Sequence, residues 1–370
     1  MLLLQGGGAL GSYQAGVYQA LAEADLHPDW IAGVSIGAVN AALIAGNPPE
    51  QRVDRLRQFW ETVSTSPLGP FSIPYLPLIE INDAVTHALL NHARAFGIAL
   101  LGAPGFFKPR LPSPFLFPFF GIDALSHYDI APLKDTIERL VDFERINAGS
   151  TRISVGAVNV RTGNLTYFDN TLHQIDLAHV LASGSLPPGF PATNIDGEYY
   201  WDGGIVSNTP LQYLLDQEED RSSLVFQVDL FSARGVLPRG MADVLSRHKD
   251  IMYSSRTRQN TDNFQRIHAL KMKLLDALKR VPPEQLKDGE KELIADYSDA
   301  GVVNIVHLIY QHKGYEGHAK DYEFSGTSMR EHWEMGLEDT ERTLRHKKWL
   351  MLPTNADGVT IHDLHREDPT

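Results

Sequence analysis

No cysteine occurs in the 370 residues, which excludes disulfides, thiol nucleophiles and cysteine metal sites. Long apolar runs are missing too. No stretch reaches the roughly 20 residues of a bilayer-spanning helix without a charge or a proline. Positive charge is scarce: 33 Lys and Arg face 46 Asp and Glu. The net charge of −13 argues against nucleic acid as a partner and against tight electrostatic docking on anionic membranes. Met1-Leu2-Leu3-Leu4 is too short for a secretion-signal core and has no basic segment before it, so a cytoplasmic location is expected. No internal repeat is visible. The 43% hydrophobic content suffices for a substantial core in one large domain or two smaller ones.

The first half of the chain alternates between strand-like and helix-like segments. Leu2 to Gln5 reads as a strand, 13–24 as a helix, 30–34 as a buried strand and 36–46 as a helix closed by Asn47-Pro48-Pro49. Helices near 50–63, 132–142 and 176–183 follow, with strands at 152–159, 165–168, 198–201 and 224–230. Such alternation predicts an α/β fold with a central, mostly parallel sheet flanked by helices. Residues 240–300 read as charged helices, whose Arg247, Lys249, Arg266 and Lys271 alternate with Asp and Glu as on a solvated face. A strand is expected at 302–310 and a helix at 327–347 capped by Thr327 or Ser328. The tail from about 353 reads as frayed.

The chemistry is concentrated at turns. Gly33-Val34-Ser35-Ile36-Gly37 joins a strand to a helix, the setting of a nucleophile elbow, where Gly33 and Gly37 clear the neighbouring backbone and Ser35 is presented at the sheet edge. The helix that follows directs its N-terminal dipole at the same spot. Gly6-Gly7-Gly8-Ala9-Leu10-Gly11, between the first strand and first helix, offers backbone N–H groups to an anion. The same spacing is the dinucleotide fingerprint of a nucleotide-binding oxidoreductase. However, the next strand ends in the serine elbow instead of the expected acidic residue. A base for Ser35 could be a histidine (His268, His307, His312 or His318), none of them in a distinctive motif. The other candidate is Asp202, which stands at a strand end before Gly203, Gly204 and Asn208-Thr209-Pro210, a string that also suits an ordinary turn.

In this order the motifs resemble the patatin-like phospholipases, Ser-Asp dyad acyl hydrolases. The resemblance covers roughly Leu2 to Phe231 and includes Ala182-Ser183-Gly184-Ser185-Leu186-Pro187-Pro188, similar to the family's small-residue and proline loop. It implies Ser35 as nucleophile, Asp202 as its base, and an oxyanion hole from the amides of Gly7 and Gly8 with Gly6 beside them. Gly11, Gly33, Gly37, Gly203 and Gly204 would support the motifs. It further implies a carboxylic-ester substrate, a lipid or a short soluble ester such as a hydroxyacid oligomer, with no metal or cofactor. Two positions depart from the pattern. Gln5 stands where the family commonly has aspartate, and Leu10 where it has arginine.

The expected organisation is a catalytic domain over 1–232 and a mostly helical extension over 233–370 packing on it. Within the extension, Asp321-Tyr322-Glu323-Phe324-Ser325 and Met329-Arg330-Glu331-His332-Trp333 resemble a segment of one bacterial subgroup. The catalytic domain carries a proline- and aromatic-rich insertion at 64–128 around a helix at 82–100. Its phenylalanines between 103 and 120 suit either a lid with transient contact to a lipid surface or a satellite core.

Overall fold

Three consecutive leucines, Leu2, Leu3 and Leu4, are all fully buried. A strand alternates its side chains between two faces, so burying all three requires cover on both. The computed structural model describes residues 1–65, 95–112, 121–217, 222–254, 257–297, 301–311, 319–352 and 359–364. Among these the strands in chain order are β1 (Leu2–Leu4), β2 (Trp30–Val34), β3 (Lys108–Pro109), β4 (Tyr128–Asp129), β5 (Arg152–Asn159), β6 (Leu165–Asp169), β7 (Thr193–Ile195), β8 (Glu198–Asp202), β9 (Ser223–Asp229), β10 (Val303–Ile309) and β11 (Val359–Asp363). Nine of them form one sheet in the order β11-β10-β9-β1-β2-β5-β8-β7, with β6 also on β5; β3 and β4 make a separate ladder. The run from β11 to β5 is parallel throughout, whereas β6, β7 and β8 pair antiparallel. The sheet is therefore mostly parallel, as the alternating sequence implies.

Leu2, Leu4 and Ile31 face a large core built with α1 (Gly11–Glu23), α2 (Ile36–Ala45), α3 (Pro49–Val63) and Trp333 of the helix Gly326–Arg345. Leu3, Trp30, Ala32 and Val225 face the other way, onto Leu211, Leu214 and Leu215 of the helix Leu211–Gln217. Three layers result. The helices expected near 50–63, 132–142 and 176–183 form at Pro49–Val63, Ala131–Leu140 and Leu177–Ser183. Asp176 caps the last of these, accepting from the amides of Ala178 and His179. Among the described residues no helix is long and apolar enough to cross a membrane.

The C-terminal region contributes the helices Met241–Tyr253, Thr257–Leu278, Asp288–Tyr297 and Gly326–Arg345. It also extends the sheet by β10 and β11. The tail expected to fray thus contains a strand: Val359–Asp363 pairs in parallel with Val303–His307, gaining a ladder that its polar composition conceals. The helix expected at 327–347 runs from Gly326 to Arg345, and its cap lies two to three residues before the expected one. Ser325, not Thr327 or Ser328, accepts from the Ser328 amide. This helix crosses α1 at a reciprocal glycine contact. A Cβ on Gly16 would collide with the carbonyl oxygen of Trp333, and one on Gly336 with that of Tyr13. Beside the crossing the Tyr13 hydroxyl donates to Asp339 at 2.9 Å.

Of the insertion, 66–94 and 113–120 lie outside the described residues, so the expected helix at 82–100 is described only from residue 95. Phe106 and Phe107 are buried in the main core, against Phe190 and Phe324. Those two rings are core.

Gly336→Leu inserts a side chain where two backbones touch. We expect a loss of about 2–4 kcal/mol, read as a lower urea midpoint at unchanged slope.

Candidate active site

The pairing along β5 brings the two sequence motifs together. β2 runs parallel to β5 and ends with Val34 opposite Gly156. β8 runs antiparallel to β5 and ends with Asp202 opposite Ala157. β6 occupies the other edge of β5 over Ser154–Val158, so β2 and β8 share one edge. The two strands therefore meet with their C-terminal ends pointing at each other, and the next residue of β2 is Ser35. Both chains must turn away at once. Gly203 makes the turn after β8 possible, since a Cβ there would lie 2.6 Å from the Gly156 carbonyl oxygen and 3.1 Å from Val34 Cγ1.

The turn after β2 is tighter. Ser35 has φ 56° and ψ −127°, a positive φ that costs a non-glycine residue of order 1–3 kcal/mol. It is tolerated because the neighbours are glycines at sites of backbone contact. A Cβ on Gly33 would collide with the Gly37 carbonyl, and one on Gly37 with the Leu4 carbonyl. α2 begins at Ile36, so its unpaired N-terminal amides and its dipole are directed at the serine.

Asp202 is buried, while Ser35 is half-buried. The Gly204 amide donates to the Asp202 carboxylate at 2.7 Å. Burial pushes the Asp202 carboxyl up to about 7, with the Ser35 side chain and the Gly204 amide offsetting part of the rise. Of the histidines considered, His307 is buried on β10 and His268 lies on the helix Thr257–Leu278. His312 and His318 lie outside the described residues.

The end of the helix Leu177–Ser183 and the residues just past it hold both partners. The Ser183 hydroxyl accepts from the Ser35 amide at 2.9 Å and donates to the Gly156 carbonyl at 2.6 Å. Two residues on, the Ser185 carbonyl accepts from the Asp202 amide at 3.0 Å. These serines stand in a motif that the sequence shows only as a string of small residues, so their bridging role is invisible before the fold is known.

In the glycine loop the three residues have different fates. The Gly6 amide donates to the Asn208 carbonyl at 3.2 Å, and the Gly6 carbonyl accepts from Asn208 Nδ2 at 2.9 Å. Both backbone groups of Gly6 are thereby tied to Asn208. The amides of Gly7 and Gly8 have no partner among the described residues. Gly6 adjoins the serine, for a Cβ there would lie 2.9 Å from Ser35 Cβ. Gly8 adopts φ 55°, and Gly11 packs under Ile36 and Trp60.

Both departures from the family pattern have a structural account. Gln5 is fully buried. Its Oε1 accepts from the amides of Leu230 and Phe231, and its Nε2 donates to Thr209 Oγ1 and the Tyr253 carbonyl. A carboxylate could not make the two donations. Leu10 is fully buried in the core, where a guanidinium would have no water.

The C-terminal region closes the outer side of the loop. The Asp321 carbonyl accepts from the Ala9 amide at 2.9 Å and lies where a Cβ on Gly8 would sit. Two ion pairs hold this segment crosswise against the helix Met241–Tyr253: Lys249 with Asp321 at 2.7 Å and Lys320 with Asp250 at 2.6 Å. Burial raises the Asp321 carboxyl above the ordinary range, and Lys249 offsets part of that rise. The helix ends at Tyr253, whose carbonyl accepts from both Gln5 and Asn208.

A serine on a strained elbow, a buried carboxylate at the facing strand end and a glycine loop adjoining the serine at Gly6 are the parts that serine esterases gather around a reacting carbonyl. Residues 2–215 match the family model described as Patatin-like phospholipase, and residues 251–356 match DUF3734, described as Patatin phospholipase. The chain belongs to the patatin-like phospholipase family, and this membership supersedes the dinucleotide reading of the glycine loop. No curated protein matches the chain. Among solved structures, the crystal structure of VipD from Legionella pneumophila is similar with a TM-score of 0.38 and 16% identity, a likeness too slight to carry an inference. The match covers 93% of this chain and 66% of that one.

The raised Asp202 pKa has a consequence for stability. The folded protein holds this proton more tightly than the unfolded chain does, so stability falls as pH rises from the ordinary carboxylate range to about 7 and stays lower above it. Asp202→Asn removes that cost. We expect the variant to melt above the wild type at pH 8, by on the order of 2 kcal/mol, with the gap closing toward pH 4.

Proposed function

We propose that the protein hydrolyses carboxylic esters of lipids through a Ser35–Asp202 dyad and an acyl-enzyme. The single observation that carries this reading is the convergence of β2 and β8 along one edge of β5, which brings the strained Ser35 and the buried Asp202 carboxylate to facing strand ends. In the first half-reaction Asp202 takes the hydroxyl proton as Ser35 Oγ attacks the ester carbonyl carbon. The carbonyl oxygen gains negative charge and is received by the amides of Gly7 and Gly8, with the N-terminus of α2 contributing its dipole. Asp202 then returns the proton to the departing alcohol as the acyl-enzyme forms. In the second half-reaction Asp202 takes a proton from water, whose oxygen attacks the acyl carbon, and returns it to Ser35 Oγ as the acyl–serine bond breaks and the acid is released.

A carboxylate of ordinary pKa is a weak base for a serine. Raising it to about 7 lessens the mismatch and accounts for the burial of the pair. The family's association with phospholipids supports a lipid substrate. Leu10, in place of the cationic residue common in the family's loop, favours a second reading in which the ester is short and soluble. The proposed setting is the cytoplasm, with a lipid or small ester as substrate.

Labelling with a fluorophosphonate followed by peptide mapping should modify Ser35 in the folded wild type; an unlabelled Ser35 would sink the hydrolase reading. Ser35→Ala and Asp202→Asn should each lose on the order of 10³-fold or more in kcat/KM. The kcat/KM of the wild type should rise with pH and level off above about 7, as Asp202 loses its proton. Turnover of short and long p-nitrophenyl esters against phospholipid vesicles separates the two substrate readings.

A further inference from the structure

Between β9 and the helix Met241–Tyr253 the chain reads Ser232-Ala233-Arg234-Gly235-Val236-Leu237-Pro238-Arg239-Gly240. Val236 and Leu237 are each 87% exposed, at a loop with an exposed arginine on either side. The helix continues the apolar surface. Met241, Val244, Leu245 and Met252 fall three, four and eleven residues from the first, hence on one face, and all are exposed. Ser246 is buried on the opposite side, and Lys249 makes its ion pair with Asp321. A helix on a water-soluble surface ordinarily turns its apolar stripe inward. This one turns it outward.

The position of the surface gives it meaning. β9 is parallel to β1, and β1 to β2, so the loop after β9 leaves the same edge of the sheet as the glycine loop and Ser35. The helix ends on that site, where the Tyr253 carbonyl receives Gln5 and Asn208. Ile205 and Val206, directly after the Asp202 turn, are exposed as well. The apolar surface and the dyad thus share one end of the molecule.

Charge decides the occupant. Residues 232–254 hold four basic and two acidic side chains in a chain of net charge −13. Over a screening length of about 8 Å the local excess of positive charge governs what approaches this edge. Self-association through the same surface would set Arg234 and Arg239 against their own copies about a two-fold axis. An anionic lipid surface meets both the arginines and the aliphatic side chains between them.

We propose that the loop around Val236 and Leu237, with the outer face of the helix Met241–Tyr253, seats the protein on an anionic phospholipid bilayer with its active site toward the lipid. Val236 and Leu237 enter the boundary between headgroups and acyl chains, and Arg234 and Arg239 contact phosphates. The inference rests on the lipid-ester reading above but is tested apart from it.

The test uses the full-length Ser35→Ala protein, which cannot turn over, in cosedimentation with phosphatidylcholine vesicles with and without a minority of phosphatidylglycerol. Binding is expected to be stronger to the mixed vesicles. In the same background, combined Val236→Asp and Leu237→Asp substitutions should lower the bound fraction at least tenfold with no change in melting temperature. Combined Arg234→Gln and Arg239→Gln substitutions should abolish the preference for phosphatidylglycerol. A Leu237→Trp indole should shift its emission to the blue on mixed vesicles. Equal binding by the double-aspartate protein, or no binding by its parent, overturns the proposal. So does a parent that is dimeric by sedimentation equilibrium and becomes monomeric with the two aspartates, since the surface would then be a self-interface. None of these outcomes bears on fluorophosphonate labelling of wild-type Ser35, which tests the catalytic reading alone.

Discussion

The geometry of the site depends on two strands that approach each other along one edge of β5. β2 and β8 run in opposite directions and end opposite neighbouring residues, Gly156 and Ala157. Neither can continue without colliding with the other. Each must turn out of the sheet within one residue, which puts Ser35 at a positive φ and a pair of glycines after Asp202. The strain at the serine and the burial of the carboxylate thus have a common origin. Stabilising them falls to a large apolar core and to hydrogen bonds from one helix end, through Ser183 and Ser185.

How much of this could be read from the sequence varied with the kind of interaction. Glycines forced by backbone contact were legible at Gly33 and Gly37, because a strand, a serine and a helix of small residues surround them in one short window. Asp202 was legible only through the resemblance, since Asp-Gly-Gly also makes an ordinary turn and its partner lies far back in the chain. The bond that holds the Gly6 amide was not legible because its acceptor, the Asn208 carbonyl, is 202 residues away by sequence number. Strand β11 was hidden because its burial comes from pairing with β10 and not from its own composition. Local constraints were visible; those set by a distant backbone were not.

The C-terminal region is bound into the same body as the site. It supplies the outer two strands of the sheet, a helix whose backbone touches that of α1, and the Asp321 carbonyl that caps the Gly8 turn. Its charged residues form a tie: Lys249, Asp250, Lys320 and Asp321 pair crosswise between two segments 70 residues or more apart. Removing one member of a buried pair leaves its partner uncompensated. The glycine loop therefore answers to charges that lie outside residues 2–215.

This arrangement sets a timetable for synthesis. The elbow, the glycine loop and Asp202 have all been joined to the chain once little more than half of it is made. The wall behind Gly8 is still missing then, because it arrives only with Lys320 and Asp321. A nascent chain, or a fragment released early, carries the serine and its carboxylate but not the backing that holds the loop in place. The order of residues along the chain keeps the site unfinished until most of the protein exists.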